Sequence, residues 1–152
     1  MSKEPNGGRT RLGIYTIAEV FEYIDASPKH GQKVKFRGHQ MNMRNTRLLS
    51  FRINGIKCVD CGSQGAFFAK ERYGNDPPHM NLYGFDKYGN PLLFTRDHIK
   101  PKAKGGTNHL YNAQTMCLQC NGKKSDEWTF SMKLYYYYRR ILTLFKEEFK
   151  AE

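Results

Sequence analysis

The sequence predicts an α+β fold tied together by a metal site. Three observations lead there. Two Cys-x-x-Cys pairs, Cys58/Cys61 and Cys117/Cys120, stand far apart in the chain. Short strand-like runs and Asn/Gly turns lie between them, and helical periodicity appears before and after. The chain has 152 residues, the length of one domain, and carries a net charge of +11 at pH 7 with a pI near 9.6. A basic excess of that size binds phosphates and releases condensed counterions, so it points to nucleic acid as the partner.

Residues 1–10 are polar, with Pro5 and Gly7-Gly8, and read as a disordered arm with Arg9 and Arg11 near its end. A helix is expected over Thr16–Ala26. Thr16 can cap it, Glu19 has the capping-box spacing, and Ile17, Val20, Phe21 and Ile24 share one apolar face. Ser27-Pro28 ends it. From Pro28 to Lys57 there is no Asp or Glu, yet KVKF and LLSFRI carry strand-like patterning. This acid-free run reads as a folded basic surface that contacts nucleic acid through Lys33, Lys35, Arg37, Arg44 and Arg47.

Phe67, Phe68 and Tyr73 are expected in the core, and Asn75–Pro78 in a turn. Asn81–Gly84 and Leu92–Ile99 are expected as strands joined by the hairpin turn Asp86–Asn90. A loop around Gly105-Gly106, a short strand over Asn112–Met116 and a helix from Leu118 follow. A last helix is expected over Asp126–Lys150. Phe130, Leu134, Tyr138 (or Tyr137), Ile141 and Phe145 recur at helical steps, as a stripe that packs it onto the domain. The Tyr135–Tyr138 run with Arg139-Arg140 also has the chemistry to stack bases and hold phosphates. The organisation is therefore a basic N-terminal extension (1–57), a zinc-stabilised core (58–125) and a C-terminal helix packed on it (126–152).

No run reaches the roughly 18 apolar residues of a membrane span, and the N-terminus lacks an apolar secretory core. A cytosolic, reducing compartment and no membrane partner follow as expectations, and there paired cysteines read as metal ligands. Each Cys-x-x-Cys turn aims two thiolates at one point, and tetrahedral zinc takes two such turns. A thioredoxin-like redox pair would need a βαβ frame, which is not seen. One structural Zn²⁺ per chain is expected on Cys58, Cys61, Cys117 and Cys120. With four thiolate ligands that site is closed and not itself catalytic. The 55 residues from Gly62 to Met116 exceed a simple zinc-ribbon spacing, so a functional insert lies between the knuckles.

That insert holds Asp97-His98 and Gly105-Gly106. Asn112 follows, and Asn121 stands directly after the second knuckle, with Lys124 three residues on. In this order the chain, over about Cys58–Lys124, resembles the HNH endonucleases of the ββα-metal (His-Me finger) group. The resemblance implies a zinc-stabilised ββα core and hydrolysis of DNA phosphodiesters, one strand per site. It implies His98 as general base on water, Asp97 and Asn121 as ligands of a catalytic Mg²⁺ or Mn²⁺, and Asn112 as a residue that ties the loop and orients His98. Arg96, Lys123 and Lys124 would add positive charge toward the nucleic acid. Many HNH members have histidine at the position of Asn121. The asparagine form is similar to the H-N-N variant that includes phage junction resolvases, and an amide oxygen favours a hard cation.

By analogy with the family, the small basic chain suits a phage or mobile-element nuclease working in a bacterial host or phage-infected cell. Its partner would be double-stranded or branched DNA, with the protein a monomer or homodimer. The competing reading is a non-catalytic, zinc-stabilised nucleic-acid-binding or regulatory protein with a vestigial HNH site. An RNA-directed nuclease is disfavoured, since no RNP-type aromatic signature is present. His30, His39, His79 and His109 have no partner spacing and read as surface or packing residues.

Overall fold

The computed structural model describes residues 8–28 and 31–146. The elements run β1 (Arg9–Tyr15), α1 (Ile17–Ala26), β2 (Val34–Phe36), β3 (His39–Met41), α2 (Thr46–Asn54), β4 (Gly65–Tyr73) and β5 (His79–Phe85). Then come β6 (Pro91–His98), β7 (Ala113–Cys117), α3 (Leu118–Lys124) and α4 (Phe130–Leu142). Strands β1-β4-β5-β6-β7 form one antiparallel sheet in that order, and β2-β3 form a separate hairpin. The result is a mixed α and β fold with four α-helices among the described residues. None of those helices is long and apolar enough to cross a membrane.

Helix α1 forms as its sequence dictates. The Thr16 hydroxyl accepts the Glu19 N–H at 3.1 Å, Val20 and Ile24 are buried, and Ile17 and Phe21 pack beside them. The core also takes Phe36, Phe51, Phe68, Leu82 and Leu110. The hairpin β5–β6 turns where expected: Asp86 N–H donates to Asn90 O, and Gly89 adopts φ +85°.

Four local expectations need correction. The arm read as disordered through residue 10 is a strand from Arg9 onward, while residues 1–7 lie outside the described residues. What holds β1 is its pairing with β4, together with Arg11, whose guanidinium meets the fully buried Glu71 carboxylate at 2.9 Å. A local reading of charged RTR cannot see that distant acid.

The LLSFRI run is helical and not a strand. Short apolar runs fit both periods. Asn45 decides: its side chain accepts the Leu48 N–H at 3.0 Å, and Gly55 at φ +84° ends the helix.

Phe67–Tyr73 belong to the long strand β4. Phe68 is buried as expected, Phe67 is half-buried, and Tyr73 at the strand's end is 41% exposed.

The C-terminal helix forms, but its apolar stripe does not face the core. Phe130, Leu134, Tyr138, Ile141 and Phe145 are all exposed, and Tyr136 and Arg139 are buried in their place. The helix spans Phe130–Leu142 and not the expected Asp126–Lys150, and residues 147–152 lie outside the described residues, as do Lys29 and His30.

Candidate active site and metal centre

The four cysteine sulfurs lie within 4.8 Å of one another, with Cys61 Sγ and Cys117 Sγ 3.9 Å apart. Two thiolates on one tetrahedral zinc stand roughly 3.8 Å apart, from a Zn–S bond of about 2.3 Å. The donor set therefore fits one four-coordinate ion. The first knuckle is a turn closed by Gly62 N–H to Cys58 O, and Val59 N–H docks it on Thr115 O of β7. In the second knuckle Cys117 caps α3, its sulfur accepting the Cys120 N–H at 3.4 Å. Burial pushes the Cys117 and Cys120 thiols up, while its hydrogen bonds to Ser63 bring the exposed Cys61 down to about 6. A dication held by these four sulfurs would offset that cost by favouring the thiolates. The long spacing between the knuckles is accounted for by strands β4 to β7, which fill it.

Strands β6 and β7 pair antiparallel and lead straight into α3. Asp97, His98 and Asn121 come together around one cavity of about 360 Å³, with Arg96, Lys102 and Lys124 also in its wall. Asp97 is 5% exposed. Its carboxylate accepts from Gln114 Nε2 at 2.7 Å and from Lys124 Nζ at 3.1 Å, and Lys124 Nζ also donates to His98 O at 2.9 Å. Lys124 is therefore a buried counterion of Asp97, whereas Lys123 is exposed.

Asn121 donates its Nδ2 hydrogen to Thr95 Oγ1 at 2.9 Å. That bond fixes the amide's orientation, and none of the described hydrogen bonds of Asn121 uses Oδ1. His98 Nε2 lies 3.0 Å from Asn108 Oδ1 and 3.2 Å from an Arg96 nitrogen. An Nε2–H that donates to Asn108 leaves the lone pair on Nδ1, which is the tautomer a base needs. Burial lowers the His98 pKa. Arg96 and Lys102 act in the same direction, while the Asn108 hydrogen bond and Asp97 oppose them.

Asn112 is fully buried and ties the loop. It accepts Lys100 N–H at 2.7 Å and donates to Lys100 O and Thr107 O at 3.1 and 2.8 Å. Its side chain reaches the loop backbone and not the His98 ring, where Asn108 stands. Gly106 is obligatory here, since a Cβ would lie 1.8 Å from Lys100 O.

Three participants escaped the sequence reading: Gln114, Asn108 and Thr95. Gln114 sits directly opposite Asp97 in the β6–β7 register, a pairing that the fold sets and the local sequence does not mark. Asn108 and Thr95 are ordinary polar residues whose partners only the fold supplies. Among the basic residues expected to meet nucleic acid, Arg47 and Arg96 line one cleft between β5 and β6. Lys33, Lys35 and Arg37 stand apart on the β2–β3 hairpin, where Arg37 pairs with Glu19, and half-buried Arg44 precedes α2.

Residues 85–127 match the family model for HNH endonucleases. The family implies nuclease-type activity on nucleic acid. The match contains Asp97, His98, Asn112, Asn121 and the second knuckle, and leaves the first knuckle outside. Neither a curated protein nor a solved structure matches the chain.

Proposed function

We propose that the protein is a divalent-cation-dependent DNA endonuclease with a ββα-metal core, β6–β7–α3, stabilised by one structural zinc on its four cysteines. The supporting observation is the convergence of Asp97, His98 and Asn121 on one cavity, with Nε2 of His98 and Nδ2 of Asn121 already engaged. In this reading His98 Nδ1 takes the proton of the attacking water, and Asn108 holds the ring and stabilises the imidazolium that forms. Asp97 and Asn121 offer a carboxylate and an amide oxygen, a hard donor pair suited to Mg²⁺ or Mn²⁺. Such a cation supplies charge stabilisation at the phosphate and the departing oxygen. Gln114 and Lys124 position the Asp97 carboxylate, and Asn112 holds the loop. One such site cuts one strand of double-stranded or branched DNA. By family analogy its setting is a phage or mobile element.

The test is plasmid nicking in Mg²⁺. His98→Ala should lower the rate about 10²–10⁴-fold while DNA binding persists, because the imidazole acts on water. Nicking by His98→Ala at the wild-type rate overturns the assignment. The chain would then be a zinc-stabilised DNA-binding protein with a vestigial site.

A further inference from the structure

Strands β5 and β6 pair over only three positions, from Phe85↔Pro91 to Tyr83↔Leu93. Beyond Leu93, β6 continues on β7, while β5 continues on β4. The sheet therefore forks, and the fork opens a cavity of about 300 Å³. Its polar lining comes from four elements: Arg9 of β1, Arg47 of α2, His79 and Asn81 of β5, and Thr95 and Arg96 of β6. We propose that this fork is a second phosphate subsite, which holds a DNA backbone phosphate flanking the one cut at His98. The inference rests on the endonuclease reading of the adjoining site.

Arg9, Arg47, Arg96 and His79 all line one small concavity, with the Arg96 Nη2 itself donating to Asn108 O at 2.9 Å on the side of the catalytic cavity. Arg47 is fixed there, its Nη2 donating to Met80 O at 2.7 Å. Glu71, whose field reaches His79, is fully buried and already committed. It accepts from Arg11 at 2.9 Å, from Asn81 Nδ2 at 2.7 Å and from Tyr83 Oη at 2.8 Å. Among the residues that line the fork are three arginines and a histidine, and Asp and Glu are not among them. Burial, followed by the field of Arg9, lowers the Arg47 pKa, and burial together with both arginines lowers that of His79. A backbone phosphodiester, with its single negative charge, complements that basic lining, and guanidinium geometry suits phosphate oxygens.

Arg96 links the two places. It lines the fork and the catalytic cavity, and its Nη2 lies 3.2 Å from His98 Nε2. A polyanion whose scissile phosphate sits at His98 therefore runs into the fork with its next phosphates. Arg9 and His79 lie outside residues 85–127, so the subsite belongs to what this chain adds around the residues that match the HNH model. His79 is accordingly more than a surface residue.

The experiment uses the full chain without Mg²⁺, so binding is read independently of cutting. Single neutral methylphosphonate linkages are walked along a defined duplex. With wild type, one linkage flanking the cut position should weaken binding about ten-fold, the scale of a charge-assisted hydrogen bond. Arg9→Ala should weaken binding to the unmodified duplex similarly and flatten the log–log salt slope by about 0.9. At that one linkage it should show no further loss, because the contact is already gone. Arg9→Lys, which keeps the charge, should retain the interference, and matching melting temperatures would show that both variants fold. The proposal is overturned if Arg9→Ala leaves the interference map unchanged. It is also overturned if inorganic phosphate stabilises wild type over Arg9→Ala while the two interference maps agree, since the fork would then take a free anion. Wild type that binds with this map and never nicks plasmid in Mg²⁺ overturns the nuclease reading and supports the subsite.

Discussion

The two cysteine knuckles draw their four sulfurs together, whereas the apolar stripe of the C-terminal helix faces outward. In the core the two Cys-x-x-Cys spacings describe a local turn, and four sulfurs within 4.8 Å of one another are the outcome. At the C-terminal end the sequence stripe of Phe130, Leu134, Ile141 and Phe145, the last of them just beyond α4, describes one helix face equally well. The structure turns that face outward, leaving these residues 74, 58, 57 and 75% exposed. A ligand spacing carries its own partner, because a metal demands all four donors at once. An apolar stripe states only that something is apolar, and tertiary packing selects the face.

What seats α4 is polar and aromatic. Arg139 Nη2 donates to Leu110 O at 3.0 Å, and the Tyr136 ring meets Tyr111 and Trp128 edge-on at 5.7 and 5.6 Å. Leu110 and Tyr111 precede Asn112, so the helix braces the loop that holds Asn108 and Asn112 beside the site. Arg139, which looked like a phosphate ligand beside Tyr135–Tyr138, is occupied with this brace, while Arg140 is exposed.

The largest effect should come from breaking the knuckle. Structural zinc contributes about 10–16 kcal/mol of apparent folding free energy in small metal domains, as much as or more than the roughly 5–15 kcal/mol of net stability that an ordinary domain has. Cys117→Ser should therefore lose cooperative unfolding by circular dichroism along with activity. Metal analysis of wild type should give about one zinc per chain, as a four-thiolate site requires. A variant that melts like wild type with no bound metal would remove the contrast between the two regions.

An intermediate effect is expected from the brace. Arg139→Ala removes a charge-assisted hydrogen bond to a buried carbonyl, worth about 1.5–3 kcal/mol. Denaturant unfolding should show a loss of that size, and hydrogen exchange should rise in residues 108–112 as well as in α4. If exchange rises in α4 alone, the helix does not brace the loop.

The legible part of the molecule follows the same division. Asp97, His98 and Asn121 stood out together because a chain-order pattern surrounds them, and they line one cavity; α1 was legible because its cap and its apolar face agree. Strand β1 was not legible, since the buried Glu71 that neutralises Arg11 lies 60 residues away. Helix α2 was misjudged because four apolar or small residues in a row, Leu48–Phe51, fit two periods, and the decisive Asn45 cap looks like any loop asparagine. Gln114 and Asn108 act on Asp97 and His98 through strand register and loop path, which local pattern does not encode.

The smallest effect should come from the stripe itself. A buried leucine replaced by lysine would leave an unpaired charge in the core and cost several kcal/mol, on the order of the largest single-residue effects. Leu134 is exposed and directed away from the Tyr136–Arg139 face. Its neighbours along the helix surface, Phe130, Tyr137, Tyr138 and Ile141, are exposed as well, so a lysine there keeps its charge in water. Leu134→Lys should therefore shift the unfolding free energy by no more than about 0.5 kcal/mol, the usual range for surface substitutions. Lysine is also nearly as good a helix former as leucine, so α4 itself should persist. The measurement is paired: urea unfolding of Leu134→Lys and of Tyr136→Lys, side by side. Tyr136 is 4% exposed against Trp128 and Tyr111, so its lysine variant should lose several-fold more stability than the Leu134 variant. Equal losses, or a larger one at Leu134, would mean that the stripe is covered in the folded protein and that the sequence pattern had named the right face.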